Sequence, residues 1–285
     1  MQHIVIIPAH NEEAFIGKTL ESIVNQQTTP TKVIVVNDNS TDQTQRIVET
    51  FCKNHSFIQL INNKSSTQHL PGQKIINAFY TGYNSISQPY DIISKMDADL
   101  IFPSNYFKEI NQAFEENKTI GICGGTAEIE KNGKWILEKV AHKDHVRGGL
   151  KSYRKECFET IGGLKPSMGW DTVDELLALY NKWEVKVLHH LAVKHLKLTT
   201  ENYKAINAKN QAIAFYKMDY GFFISMLSIL KAAHRKKSIS FIIDATKGYL
   251  FAISNEKKIV TKKEGLFIRK YRWKKIFESI NFINS

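Results

Sequence analysis

The chain has 285 residues, 42% of them hydrophobic and 24% charged. That is the composition of a globular protein able to bury a core, and it excludes a disordered or fibrous chain. The net charge of +11 is unevenly placed: residues 1–185 hold 19 basic and 22 acidic side chains, net −3, and residues 186–285 hold 20 and 6, net +14. A uniformly basic nucleic-acid binder is thereby excluded.

The three cysteines, Cys52, Cys123 and Cys157, are far apart with no CxxC pair. Neither a disulfide framework nor a zinc site is expected, and a reducing, cytoplasmic setting is. No signal peptide is expected, because the first apolar run stops at Pro8. The longest later apolar stretch, residues 221–230, falls well short of the ~20 residues needed to span a bilayer.

Residues 4–7 form a continuous apolar run, as in a strand buried on both faces. Residues 12–26 place Phe15, Ile16, Thr19, Leu20, Ile23 and Val24 at helical spacing. A β-branched strand follows at 33–36, a helix at 42–52, a short strand at 57–61, a helix at 73–86 and a strand at 91–96. Consecutive βα units predict a parallel sheet with right-handed crossovers, whose ligands bind beyond the carboxyl ends of the strands. Beyond Asp99 the pattern changes. A helix is expected at 103–116, and short strands at 120–123, 126–130 and 134–137, the last two joined by a Lys131-Asn132-Gly133 hairpin turn. Helices at 154–161 and 172–182 and a strand at 185–188 follow. From about residue 201 the reading is helical: 202–217, 220–234, 239–253 and 266–282. The expected organisation is a domain over 1–200 and a basic helical region over 201–285.

Four segments carry chemistry. Pro8-Ala9-His10-Asn11-Glu12 follows the first strand, where free backbone N–H groups suit a base or phosphate. Helix capping by Asn11 is the simpler account of the same residues. Asp38 ends the second strand, where it could accept from a base N–H or a ribose hydroxyl, while Ser40 or Thr41 could cap the next helix. Asp97-Ala98-Asp99 ends the 91–96 strand, and its two carboxylates suit Mg²⁺ or Mn²⁺ held together with substrate phosphates. Trp170-Asp171-Thr172-Val173-Asp174-Glu175 opens a helix; its acids fit the helix dipole, and one could also serve as a general base.

In this order and spacing the four segments resemble the inverting glycosyltransferases of family 2, over roughly residues 3–195. The resemblance implies an α/β GT-A fold, a Rossmann-like nucleotide-diphospho-sugar transferase domain, with a helical C-terminal extension. It implies donor contacts at Pro8, Ala9, Asn11, Glu12, Asp38, Asp97 and Ala98, and a Mg²⁺ or Mn²⁺ cofactor at Asp97 and Asp99. Arg154, ahead of Gly162-Gly163-Leu164, matches the family's segment beside the acceptor, and Trp170 stands beside it. The base falls on Asp171, with Asp174 one turn further on as the other candidate. The pattern is departed from where Trp170 replaces a Glu, Lys182 a Gly and Tyr80 an Asn. Lys74, after Pro71-Gly72, could face the diphosphate or be a solvated helix lysine. Among His189, His190 and His195, the resemblance implies one that completes the metal site, and His190 is the candidate taken.

The function expected is therefore transfer of a sugar from a nucleoside-diphosphate sugar to a saccharide or lipid-linked saccharide acceptor in cell-surface glycan synthesis. A sugar-nucleotide-binding protein without transfer activity is the competing reading. A nucleic-acid-binding module is a further one, disfavoured because no matching motif is present. Two basic amphipathic stretches suit an anionic membrane at the cytoplasmic face. In the first, Tyr220, Phe223, Ile224, Leu227 and Leu230 precede Lys231, His234, Arg235, Lys236 and Lys237. In the second, Phe267, Ile268, Tyr271, Ile276, Phe277 and Ile280 alternate with Arg269, Lys270, Arg272, Lys274 and Lys275. Equally, the stripes could pack on each other.

Overall fold

A computed structural model describes residues 1–65, 72–138, 144–197 and 208–283. The chain divides into two compact units: residues 1–166 with 181–198, and residues 167–180 with 199–285.

Among the described residues the first unit holds one nine-stranded sheet. Strands β1 (His3–Ala9), β2 (Lys32–Asp38), β3 (Ile58–Asn63) and β4 (Ile92–Met96) are parallel, in the order β3-β2-β1-β4. Helices α1 (Ile16–Val24), α2 (Thr44–Asn54) and α3 (Gln73–Tyr83) supply the crossovers. β1 is buried along its whole length and reads as an apolar run over residues 4–7; β4 is equally buried although it carries Ser94 and Lys95. Ile16, Leu20 and Ile23 of α1 join the strand residues in the main core.

Beyond β4 the sheet becomes mixed. A two-residue strand, β5 (Leu100–Ile101), precedes α4 (Tyr106–Glu116), β6 (Ile120–Lys131), β7 (Lys134–Leu137), β8 (Leu150–Arg154), α5 (Lys155–Thr160) and β9 (Glu184–His195). β8 lies antiparallel between β4 and β6, and β9 runs parallel to β6. The two strands expected at 120–123 and 126–130 are one strand. Its glycines admit close backbone approach: a Cβ at Gly124 would meet the carbonyl of Leu150, and one at Gly125 the carbonyl of Leu191. The β6–β7 turn has Asn132 at φ 53° and Gly133 at φ 73°, as a two-residue hairpin requires.

The second unit is helical in its described residues: α6 (Trp170–Tyr180), α7 (Ala208–Lys217), α8 (Gly221–Lys236), α9 (Ile239–Asn255) and α10 (Lys262–Ile283). The boundary expected near residue 200, and the start of the helix expected at 202, lie outside the described residues. The unit also takes in α6, which the sequence reading assigned to the first domain; Tyr180 of α6 packs edge-on to Phe267 of α10 at 5.5 Å. Alanines make the contact between α7, α8 and α9, with Ala208, Ala212, Ala232, Ala233 and Ala245 in one buried cluster. A Cβ at Gly248 would strike the backbone of Lys209, so the α7–α9 crossing is too close for any larger residue there.

Candidate active site

The turns after β1 and β2 are laced together by short polar side chains. Asn11 adopts φ 53°, its N–H donates to Ser40 Oγ at 3.0 Å, and its Oδ1 accepts from Thr41 N at 2.8 Å. Glu12 N donates to Thr44 Oγ1 at 2.8 Å and Glu13 N to Asp42 Oδ2 at 3.1 Å. Asn11 therefore ties the two turns together and does not cap α1, which begins at Ile16. Neither Ser40 nor Thr41 caps α2: its N-cap position is Gln43, and Asp42 Oδ1 accepts from Thr44 N at 2.9 Å in the preceding turn. Pro8 and Ala9 close β1 in register with Val36 and Asn37.

Asp38 ends β2, buried, and is held from the neighbouring strand. Asn63 Nδ2 donates to its Oδ1 at 2.8 Å and Ser65 Oγ to its Oδ2 at 3.0 Å. These two donors fix the carboxylate plane, which suits it to accept directional hydrogen bonds.

Asp97 and Asp99 follow β4. Asp97 N donates to Gly149 O at 3.1 Å, and a Cβ on Gly149 would displace the Asp97 carboxylate from its place. Lys95, two residues back and fully buried, forms an ion pair with Asp97. Burial pushes the Asp97 carboxyl up; the Lys95 ammonium, helped by His195 and Arg147, overrides this and holds it below its ordinary value. Asp99 Oδ2 lies 3.2 Å from His195 Nε2. The intervening Ala98 is buried, and its carbonyl accepts from Thr19 Oγ1 at 2.7 Å.

Glu12 borders the same cluster. Its Oε1 accepts from Lys197 Nζ at 2.9 Å. Burial raises its carboxyl above the usual value, and the Asp99 and Asp97 charges add to the rise against the pull of Lys197. Two buried oxygens, Glu12 Oε2 and Asp99 Oδ1, have no hydrogen-bond partner among the described residues. Hard carboxylate oxygens left bare beside a depressed Asp97 are the donor set that Mg²⁺ or Mn²⁺ takes together with substrate phosphates. Among the described residues no three His, Cys, Asp or Glu side chains already converge on one point. Two protein carboxylates completed by phosphate and water oxygens are the usual Mg²⁺ pattern, so the residues fit such an ion.

The histidine beside Asp99 is His195, not His190. The Leu100–His195 pairing of β5 with β9 sets the His195 ring next to Asp99, with Nδ1 3.7 Å from buried Glu138. His190 stands five residues earlier, exposed, and pairs with Glu109 of α4. Arg154 also has a different task from the one the resemblance implies. It is buried, and its guanidinium donates to Ile120 O at 2.9 Å, Phe114 O at 2.6 Å and Asn117 O at 3.1 Å, tying β8 to the end of α4. Lys74 stands half-buried in the first turn of α3, behind Gly72 at φ 74°; Pro71 lies outside the described residues. Tyr80, where the family pattern has Asn, donates its hydroxyl to Leu164 O at 2.9 Å, beside a Gly163 that has no room for a Cβ.

In the second unit, Trp170 begins α6 behind Gly169 at φ 79° and is buried. Asp171 is half-buried in the first turn. Asp174 is 1% exposed and its Oδ1 accepts from Glu175 N at 2.6 Å.

Sequence reasoning missed Lys95, Glu138, Arg147 and Lys197. Glu138 is ion-paired with Arg147 and lies beside His195. One of the four carried a local signal: a lysine two residues before Asp97 in a strand faces the same side as Asp97.

Residues 4–163 match the family model described as Glycosyl transferase family 2. A protein of Haemophilus influenzae named "Uncharacterized glycosyltransferase" is 33% identical over 125 residues, 44% of this chain and 36% of that protein. The poly-beta-1,6-N-acetyl-D-glucosamine synthase of Staphylococcus epidermidis is 26% identical over 137 residues, 47% of this chain and 30% of that protein. The chain thus spans about a third of the length of these curated relatives. The mannosyltransferase PcManGT of Pyrobaculum calidifontis, solved with GDP-Man and Mn²⁺, shares the fold at a TM-score of 0.56 and 14% identity, over 95% of this chain and 84% of that one.

Proposed function

The chain belongs to glycosyl transferase family 2, and from this premise we propose that it is a glycosyltransferase that inverts an anomeric centre while moving a sugar from a nucleoside diphosphate to an acceptor hydroxyl. One observation carries this reading. Glu12, Asp38, Asp97 and Asp99 stand at the carboxyl ends of the three adjacent parallel strands β1, β2 and β4, with two buried carboxylate oxygens bare. That is where an open α/β sheet binds its ligand.

Asp38, fixed by Asn63 and Ser65, accepts from the base or ribose of the donor. Pro8, Ala9 and Asn11 shape the nucleotide pocket, and Ala98 and Lys74 flank the diphosphate. Mg²⁺ or Mn²⁺ on Asp97 and Asp99 would supply charge neutralisation for the nucleoside diphosphate leaving group. His195 holds Asp99 beside that position, and Glu12, paired with Lys197, borders it. Asp171 takes the proton from the acceptor hydroxyl, and its partial exposure supports it over buried Asp174. Trp170 anchors the turn that presents it. A single displacement with one base gives inversion. The acceptor is a saccharide or lipid-linked saccharide of the cell surface, in keeping with the S. epidermidis relative's name, and is met at the cytoplasmic face of an anionic membrane.

Thermal shifts with a series of nucleoside diphosphates, with and without Mn²⁺, test the reading. One base should stabilise the protein in a metal-dependent way, and Asp38→Ala should weaken that ligand by about tenfold to a hundredfold, the worth of a hydrogen bond to a charged group. No shift with any nucleoside diphosphate would overturn it.

A further inference from the structure

Helices α8 and α9 each bury one face and leave a second apolar stripe exposed. On α8, Ile224, Ile229, Ala232 and Ala233 are buried, while Phe223, Leu227 and Leu230 are 73%, 44% and 50% exposed. On α9, Ile239, Ile243 and Leu250 are 79%, 53% and 56% exposed opposite a buried row that includes Ala245 and Ala252. The offsets of four and seven residues on α8, and of four and eleven on α9, keep each set in line along one side of its helix. Tyr220 and Ile224, which the helical spacing places in the α8 stripe, are core residues. On α10, Ile268 is buried and Phe267 packs on Tyr180, while Phe277 is 59% exposed. The two helices α8 and α9 pack on each other, with the Phe222 ring 6.0 Å from that of buried Tyr249.

The charge beside these stripes is mostly positive. Residues 221–255 contain five Lys or Arg and a single acid, Asp244. Lys231, Arg235 and Lys247 are exposed. A helix C-terminus favours the basic cluster after Leu230, but not Lys247 in the body of α9, and not the apolar rows. A second copy of this chain would bring like charges together across the same face. An anionic surface complements both the charge and the apolar rows. Among the described residues no helix is long and apolar enough to cross a membrane, so the pattern is that of helices lying in the interface.

We infer that α8 and α9 dock the protein on an anionic bilayer, immersing Phe223, Leu227, Leu230, Ile239, Ile243 and Leu250, with Lys231, Arg235 and Lys247 at the headgroups. This deepens the membrane part of the proposed function, and it is independent of the donor chemistry.

Sedimentation of the full chain with phosphatidylcholine vesicles, with and without phosphatidylglycerol, tests it. Binding is expected only to the anionic vesicles, strongest at low salt. Phe223→Ser with Ile243→Ser should lower the partition by about tenfold or more. Lys231→Gln with Arg235→Gln should lower it by about fivefold per charge. Both pairs are exposed, so melting temperatures should not move. Phe223→Trp should give an emission blue shift on adding anionic vesicles. Absence of binding at low salt, or binding unchanged by the Phe223/Ile243 pair, would overturn the inference. So would a dimer in lipid-free solution that this pair dissolves while vesicle partition stays the same. A protein that docks but shows no nucleotide-dependent thermal shift leaves the docking face standing and removes only the transfer reading.

Discussion

Lys95 and Asp97 lie two residues apart at the end of β4 and form an ion pair, the ammonium fully buried and the carboxylate half-exposed. A lysine buried in the centre of a sheet needs a counter-charge, and here it takes one from the residue expected to meet the donor's diphosphate. Lys95→Met should therefore lower stability, because the packed site then lacks the cation that holds Asp97 ionised. About 2 kcal/mol is expected, below the cost of breaking a fully buried pair because Asp97 is partly solvated. Denaturant melts of Lys95→Met, Asp97→Asn and the double variant check it: the double variant should lose less than the sum of the singles. Additive losses would mean that the pair is not coupled.

The two acids of α6 should separate by assay. Asp171→Asn should leave the melting temperature near wild type and cut kcat by about a hundredfold to ten-thousandfold, the usual worth of a positioned base. Asp174→Asn should do the reverse, since its carboxylate is buried and occupied by the Glu175 N–H. A variant pair in which Asp174→Asn alone abolishes turnover at unchanged stability would move the base by one helical turn.

His3 should make the fold acid-sensitive. It is buried, its Nδ1 is 2.8 Å from Asn111 Oδ1 and its Nε2 2.6 Å from Ser94 Oγ. Burial pushes the imidazole down from 6.5 to about 4. The unfolded chain thus binds a proton that the folded chain refuses between pH 6.5 and about 4, so stability rises with pH across that window and is lost as pH falls through it. The loss is on the order of 3 kcal/mol. Melts of the wild type and His3→Gln over this range check it; the variant should show a flatter pH dependence.

The parallel half of the sheet was legible because β1 and β2, buried on both faces, leave continuous apolar runs, and because Asp38 stands where the second of these stops and Asp97 and Asp99 directly follow β4. β8 was not, because it carries Lys151 and Arg154 into the core. Burial of a charged side chain depends on carbonyls and carboxylates supplied by distant elements, which no local pattern reports. The same holds for the support of the site. His195 reaches Asp99 across 96 residues, and Glu138 meets Arg147 and His195 only through the pairing of β6 with β7 and β9. The basic C-terminal stretches were visible as amphipathic, but which rows pack and which stay exposed is decided by neighbouring helices. For α8 the division runs between Ile224 and Phe223, adjacent residues on opposite sides of that decision.

Arg154 offers the sharpest contrast between the two kinds of residue. If it contacted an acceptor, Arg154→Leu would raise the acceptor KM and leave the fold alone. The structure instead has it donating to three carbonyls, two of them at the carboxyl end of α4, with its guanidinium 5.3 Å from the centre of the Phe114 ring. Removing it leaves Ile120 O, Phe114 O and Asn117 O without that donor in a region closed to water, at about 1–3 kcal/mol for each carbonyl that finds no replacement. Arg154→Leu should therefore unfold at lower denaturant, and Arg154→Lys should recover only part of the loss, because an ammonium cannot reproduce the planar fork. For whatever fraction stays folded, the acceptor KM should match wild type. A raised KM at unchanged stability would return Arg154 to the acceptor site.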